Sequence, residues 1–158
     1  MGIMETPYDH RQTLIALGEV ARLIKTYVDR RAAEHGMTHV QWGVLKRVQA
    51  RDGLMQAEIA EQMDLQPISL VPILDKLCEQ GLIERRADPK DRRAKLLFLT
   101  GLGRDRLDSL GPLADQISTE IFKGLDAAAV DRLHAQLTQL KDNIKRATGF
   151  ARATTKGE

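Results

Sequence analysis

The chain has 158 residues, 42% of them hydrophobic and 29% charged, with a formal net charge of +2. This is the composition of one packed globular domain, or one domain with an appendage, and excludes a disordered or fibrous chain. No apolar run approaches the roughly 20 residues that span a bilayer, and the polar start MGIMETPYDHRQ lacks a secretory core. The single cysteine cannot form an internal disulfide, so a cytoplasmic, non-membrane protein is expected. Aromatic residues make up only 4% of the chain, and the abundance of strong helix formers predicts a mainly α fold.

In chain order, Leu14, Leu17, Ala21, Ile24 and Val28 step by three, four, three and four, a heptad-like seam on a first helix. Such a seam lies either on the helix's own core or on a partner chain. Gly36 ends this helix, and Thr38 with Gln41 forms a capping box that opens the next. Val40, Val44, Leu45 and Val48 are the apolar face of that second helix, with Trp42 near its start. Asp52-Gly53 is a turn, and Gln56 to Met63 is a short helix burying Ala57, Ile59, Ala60 and Met63. After the connection Asp64 to Pro67, Leu70, Ile73, Leu74 and Leu77 predict an amphipathic helix from Ser69 to Gln80, ended by Gly81. Leu82 to Ala87 and Lys95 to Leu99 read as two strands joined through Asp88-Pro89, and Thr100 caps the next helix. Two short helices followed by a hairpin have the layout of a winged helix-turn-helix.

Helix resumes after Thr100 with Leu107, Leu110, Ala114, Ile117 and Ile121, and Pro112 within it predicts a kink. Asp126 caps a last helix carrying Val130, Leu133, Leu137, Leu140 and Ile144, again three-four-three-four. The expected architecture is mainly α: a winged helix-turn-helix over 37–100 with a two-stranded β-wing, plus N- and C-terminal dimerisation helices over 8–36 and 101–148. A tail over 149–158 has little to bury and is expected to be disordered. A striped helix must bury its stripe somewhere. The terminal seams are therefore expected to pack on each other and on the same helices of a second chain, making a homodimer.

The hairpin is the most charged stretch. Between Glu84 and Lys95 lie six basic residues (Arg85, Arg86, Lys90, Arg92, Arg93, Lys95) against three acidic ones (Glu84, Asp88, Asp91). The run GLMQAEIAEQMDLQ, the later LDKLCEQGLIERRADPKDRRAKLLFLT, and within it Asp88-Pro89-x-Asp91-Arg92-Arg93-Ala94-Lys95 resemble the MarR family of bacterial transcription regulators. The segment around Gln66 to Val71 resembles its SlyA-like branch. The resemblance is close over Thr38 to Arg106 and extends to the flanking helices in layout only. It implies a triangular homodimer that binds pseudo-palindromic operators in double-stranded DNA. In such proteins a small aromatic or phenolic ligand often binds where the two domains meet and weakens DNA affinity. A repressor released by such a ligand is the expected function.

By the same resemblance, the helix from about Ser69 enters the major groove, where Gln66 and Ser69 are placed to reach bases. Asp91 holds Arg93 for the minor groove, and Lys90, Arg92 and Lys95 meet phosphates. Lys76 and Arg86 complete the expected DNA-binding set. Alternation along the strand sends Arg85 and Arg86 to opposite faces, one toward DNA and one into a salt bridge. Pro72 departs from the family, which commonly carries arginine there. With Ser69 as N-cap, Pro72 falls in the first turn, where a missing N–H costs nothing. A scaffold that works through protein contacts, with weak DNA binding, therefore stays open.

Cys78, flanked by Leu74, Leu77 and Leu82, reads as core, with a redox-responsive regulator as the alternative. The family's peroxide-sensing branch uses a cysteine near the N-terminus, which this chain lacks. The histidines at 10, 35, 39 and 134 are scattered, so no metal and no cofactor is expected. No nucleophile triad, paired carboxylates or phosphate loop occurs, so an enzyme is not expected.

Overall fold

Backbone hydrogen-bond supply at each helix start explains where the chain turns. In this computed structural model, which describes residues 9–149, Asp9, Thr38 and Asp126 each accept a backbone N–H three residues on. They open α1 (His10–Ala33), α2 (His39–Ala50) and α6 (Ala127–Thr148). The Thr38–Gln41 capping box forms as expected, with bonds of 3.0 and 3.1 Å. Between α2 and α6 lie β1 (Leu54–Met55), α3 (Gln56–Gln62), α4 (Pro67–Glu79), β2 (Ile83–Ala87), β3 (Lys95–Leu99) and α5 (Gly101–Ile121). The tail beyond Gly149 lies outside the described residues, as does Tyr8, the expected start of the N-terminal segment.

The two-stranded wing of β2 and β3 forms as expected, and β1 adds a third strand on the far side of β3, giving an antiparallel sheet in the order β1-β3-β2. Leu54 pairs with Leu97 and Met55 with Leu96, closing the inner edge of the wing. A two-residue strand carries no periodicity, so only its partner reveals it. The wing is in register from Ile83 opposite Leu99 to Ala87 opposite Lys95.

The chain divides into two compact units, with the boundary between Ala114 and Asp115 inside α5. The first holds the main core: Val44, Leu45, Val48, Ile59, Leu70, Leu74 and Leu77 are fully buried, with Ile83 and Leu97 closing it from the sheet. Burial at about 25 cal/mol per Å² of apolar surface makes this cluster the main stabilising term. Ala57, expected inside, is exposed, because α3 turns Ile59 and Ala60 inward instead. Thr100 joins the wing to α5: its hydroxyl donates to Gly81 O at 2.6 Å and accepts the Gly103 N–H at 3.0 Å. A side chain at Gly103 would overlap Leu82 O, so the close approach of helix and strand requires glycine there. Helix α5 runs through Pro112 without a break.

The terminal helices differ from this core. In α1, Leu14 is 64% exposed and Ile24 39%. In the second unit α6 buries no residue, and Leu137, Leu140 and Ile144 are all exposed. Among the described residues no helix is long and apolar enough to cross a membrane.

Candidate nucleic-acid interface

The helix-turn-helix begins with a fixed α3. Glu58 accepts the Met55 N–H at 2.8 Å and pairs with Arg51. The Met55 bond, joined by Arg51, holds its carboxyl below the ordinary value despite partial burial. Asp64, at φ 52°, takes the left-handed turn after α3, and aspartate is among the residues that tolerate it. The Leu65 N–H then closes on Ala60 O at 2.9 Å. Across the turn the Gln56 amide donates to Pro67 O at 3.1 Å, tying the start of α3 to the start of α4.

Helix α4 starts two residues earlier than Ser69. Gln66 is its N-cap and Pro67 its first residue, where a preset φ and a missing N–H suit proline. Ser69 is therefore inside the helix, and Pro72 is an interior proline rather than a first-turn one. Its ring supplies no N–H to Ile68 O one turn back, at a cost of up to about 3 kcal/mol. The helix persists because Leu70, Leu74 and Leu77 are anchored on the opposite face. Ser69, Pro72 and Lys76 lie on the exposed face of α4, and Gln66 is exposed at its N-cap.

At the wing tip, carboxylates fold the backbone and cations are left over. Asp88 accepts the Lys90 N–H at 2.9 Å, and Asp91 accepts the Arg93 N–H at 3.0 Å. The main chain closes the loop through Asp88 N to Ala94 O at 3.1 Å and Ala94 N to Asp91 O at 3.0 Å. Asp91 thus holds Arg93 by its backbone and not by its guanidinium. Lys90, Arg92, Arg93 and Lys95 are exposed, and none has a side-chain partner among the described residues. This leaves an excess of positive charge at the wing tip of a nearly neutral chain.

The two strand arginines are already engaged. Arg85 bonds Asp75 of α4 at 2.7 Å, clipping the base of the wing to the helix. Arg86 donates to Glu84 at 2.8 Å and lies over the Phe98 ring, 4.2 Å from its centroid. Strand alternation separates the two side chains as expected, but both have partners within the chain. Neither Asp75 nor Phe98 stands out in the sequence as such a partner. Register supplies the missing link, since Phe98 sits opposite Glu84 and diagonally from Arg86.

Cys78 is half-buried rather than core, and desolvation pushes its thiol up, with nearby Arg85 opposing. That suppresses the thiolate a redox sensor needs.

A separate cleft of about 430 Å³ lies between α1 and α2, with a largely apolar lining that includes Ile24, Val28 and Trp42. Lys25, Lys46 and His39 border it. Asp29 fixes its edge, accepting the His39 N–H at 2.9 Å and meeting the His39 ring at 2.7 Å. Partial burial raises the Asp29 carboxyl, but the His39 bonds outweigh it and leave the group below its ordinary value.

A family model described as MarR family matches residues 37–95. Among solved structures, a MarR-family transcriptional regulator from Rhodococcus sp. RHA1 is 25% identical with a TM-score of 0.76, over 85% of this chain and 96% of that one. CouR from Rhodococcus jostii RHA1, solved bound to p-coumaroyl-CoA, is 28% identical with a TM-score of 0.70, over 79% of this chain and 88% of that one. A cysteine-to-serine mutant of MarR from E. coli, complexed with operator DNA, shares the fold at 23% identity and a TM-score of 0.69, over 84% and 99% of the two chains.

Proposed function

From a chain that carries a MarR-family domain over residues 37–95, we propose a transcription regulator that binds double-stranded DNA sequence-specifically as a homodimer. Its repression is relieved by a small aromatic ligand. The observation that carries this reading is the set of unpaired cations at the wing tip, Lys90, Arg92, Arg93 and Lys95, on the same module as the exposed face of α4. Duplex DNA is the partner for which such a pair of elements makes physical sense. A helix fits the major groove, and a narrow minor groove concentrates the negative potential that attracts an inserted arginine.

In this reading α4 lies in the major groove with Gln66 and Ser69 toward base edges. Arg93 enters the minor groove, and Lys76, Lys90, Arg92 and Lys95 meet phosphates. Arg86 acts by stiffening the wing through Phe98 and Glu84. Two copies joined through the seams of their terminal helices present two α4 helices to a pseudo-palindrome. The similar CouR was solved with an aromatic thioester, and the apolar, cation-bordered cleft between α1 and α2 suits an aromatic acid or its thioester. Helix α2 also contacts α4 and β3, so a ligand that parts α1 from α2 favours an arrangement in which α4 fits DNA less well.

The test is a salt-titrated gel shift on a duplex from the protein's own promoter. Specific retardation is expected, with log affinity falling by about 0.9 per phosphate contact for each unit of log salt. Adding p-coumaric acid or its coenzyme A thioester should release the duplex. Absence of any specific shift at low salt would overturn the reading.

A further inference from the structure

The exposed face of α4 carries an apolar pair that neither the core nor the charge pattern explains. Ile68, the second residue of the helix, is 78% exposed, more than any other large hydrophobic residue described as exposed. Pro72 stands four residues on, hence on the same face one turn along, and is exposed as well. Single exposed aliphatics are common and need no explanation. Here the position is special, because Ile68 sits in the first turn of α4, from which a docked helix reaches base edges. Pro72 is the second oddity. It removes a helix hydrogen bond and returns no buried packing, since Leu70, Leu74 and Leu77 fill the core from the other side.

We propose that Ile68 and Pro72 read thymine, packing on 5-methyl groups in the major groove, so that the operator is selected at these positions by apolar contact. This rests on the DNA-binding reading above and deepens it. The thymine methyl is the one apolar group on the major-groove edges of the four bases. Over four residues a helix rises about 6 Å, comparable to two base-pair steps of about 3.4 Å each. Both side chains can therefore meet methyls of one half-site while Gln66 and Ser69 lie beside them. The cationic wing supplies the attraction that brings an otherwise apolar helix face against a polyanion. Ile68 and Pro72 themselves offer no side-chain donor to guanine, which presents only acceptors there.

The experiment uses the full chain and a duplex enriched by it from a random-sequence pool. Each thymine of the recovered site is replaced in turn by deoxyuridine, which removes only the methyl group. Binding is measured for wild type, Ile68→Ala and Pro72→Ala. At one or two thymines per half-site, the replacement should weaken wild-type binding about threefold to fivefold. Ile68→Ala should lose that sensitivity at one of them and bind the deoxyuridine duplex about as well as wild type does. Uniform indifference of the wild type to deoxyuridine would overturn the inference while leaving DNA binding intact, as would undiminished sensitivity in both variants. Failure of the pool to yield any enriched duplex would overturn the DNA-binding reading and this inference with it. If Ile68→Ala instead abolishes self-association measured without DNA, the face belongs to a second copy and the inference is wrong.

Discussion

The middle of the chain and its two terminal helices treat similar apolar patterns in opposite ways. In α4, Leu70, Leu74 and Leu77 are fully buried within one chain. In α6, Leu137, Leu140 and Ile144 repeat at similar spacing and are 42%, 38% and 60% exposed. The winged module thus buries its stripe within its own helices and sheet, whereas the terminal stripes are left exposed among the described residues. Apolar periodicity reports that a face is buried somewhere, not in which molecule.

Altering one residue of each kind puts that contrast under the greatest load. Leu74→Ala should cost about 2–5 kcal/mol in chemical denaturation, independent of protein concentration. Ile144→Glu should hardly alter the fold of a single chain but should convert a micromolar dimer to monomer in sedimentation, making its melting temperature insensitive to concentration. A wild type that sediments as a monomer at that concentration would end the dimer reading.

A second substitution asks how far core anchoring carries a helix against its own sequence. Pro72→Ala should stabilise the protein by up to about 3 kcal/mol, because α4 regains a donor for Ile68 O in its interior. An unchanged thermal melt would show that the proline is cost-free where it stands.

The wing can be probed next. Arg93→Ala should weaken operator binding by about 1–3 kcal/mol and relax sequence preference, whereas Arg92→Ala should weaken all duplexes alike and reduce the salt slope by roughly one. Identical affinities for wild type and both variants would make the wing a solvated turn.

The smallest effect concerns acid. Glu58 has a native carboxyl below its ordinary value of 4.5, so the stability it confers is full above that pH and is lost as pH falls through the lowered native value. Glu58→Gln should cost about 1 kcal/mol at neutral pH through the weakened bond to Met55. It should also flatten the decline of stability below about pH 4.5. An acid profile parallel to that of wild type would assign the decline to other carboxylates, Asp29 first among them.

Local chemistry made much of this molecule legible in the sequence. Thr38 with Gln41, Asp126, Gly81 and the strand Lys95–Leu99 stand where side-chain hydrogen bonding and dihedral preference put them, since each depends on neighbours within about four residues. The charged hairpin tip, and the residues that carry its cations, were equally readable. Tertiary structure decided the rest. Pro67 and Pro72 each suit a helix's first turn, and only the anchoring of Leu70, Leu74 and Leu77 settles that the helix begins at the first and runs through the second. Strand β1 exists because Leu97 offers it an edge. Arg85 and Arg86 are spoken for by Asp75 and Phe98, partners ten and twelve residues away. Such pairings depend on how elements meet in space, and a one-dimensional pattern holds no term for that.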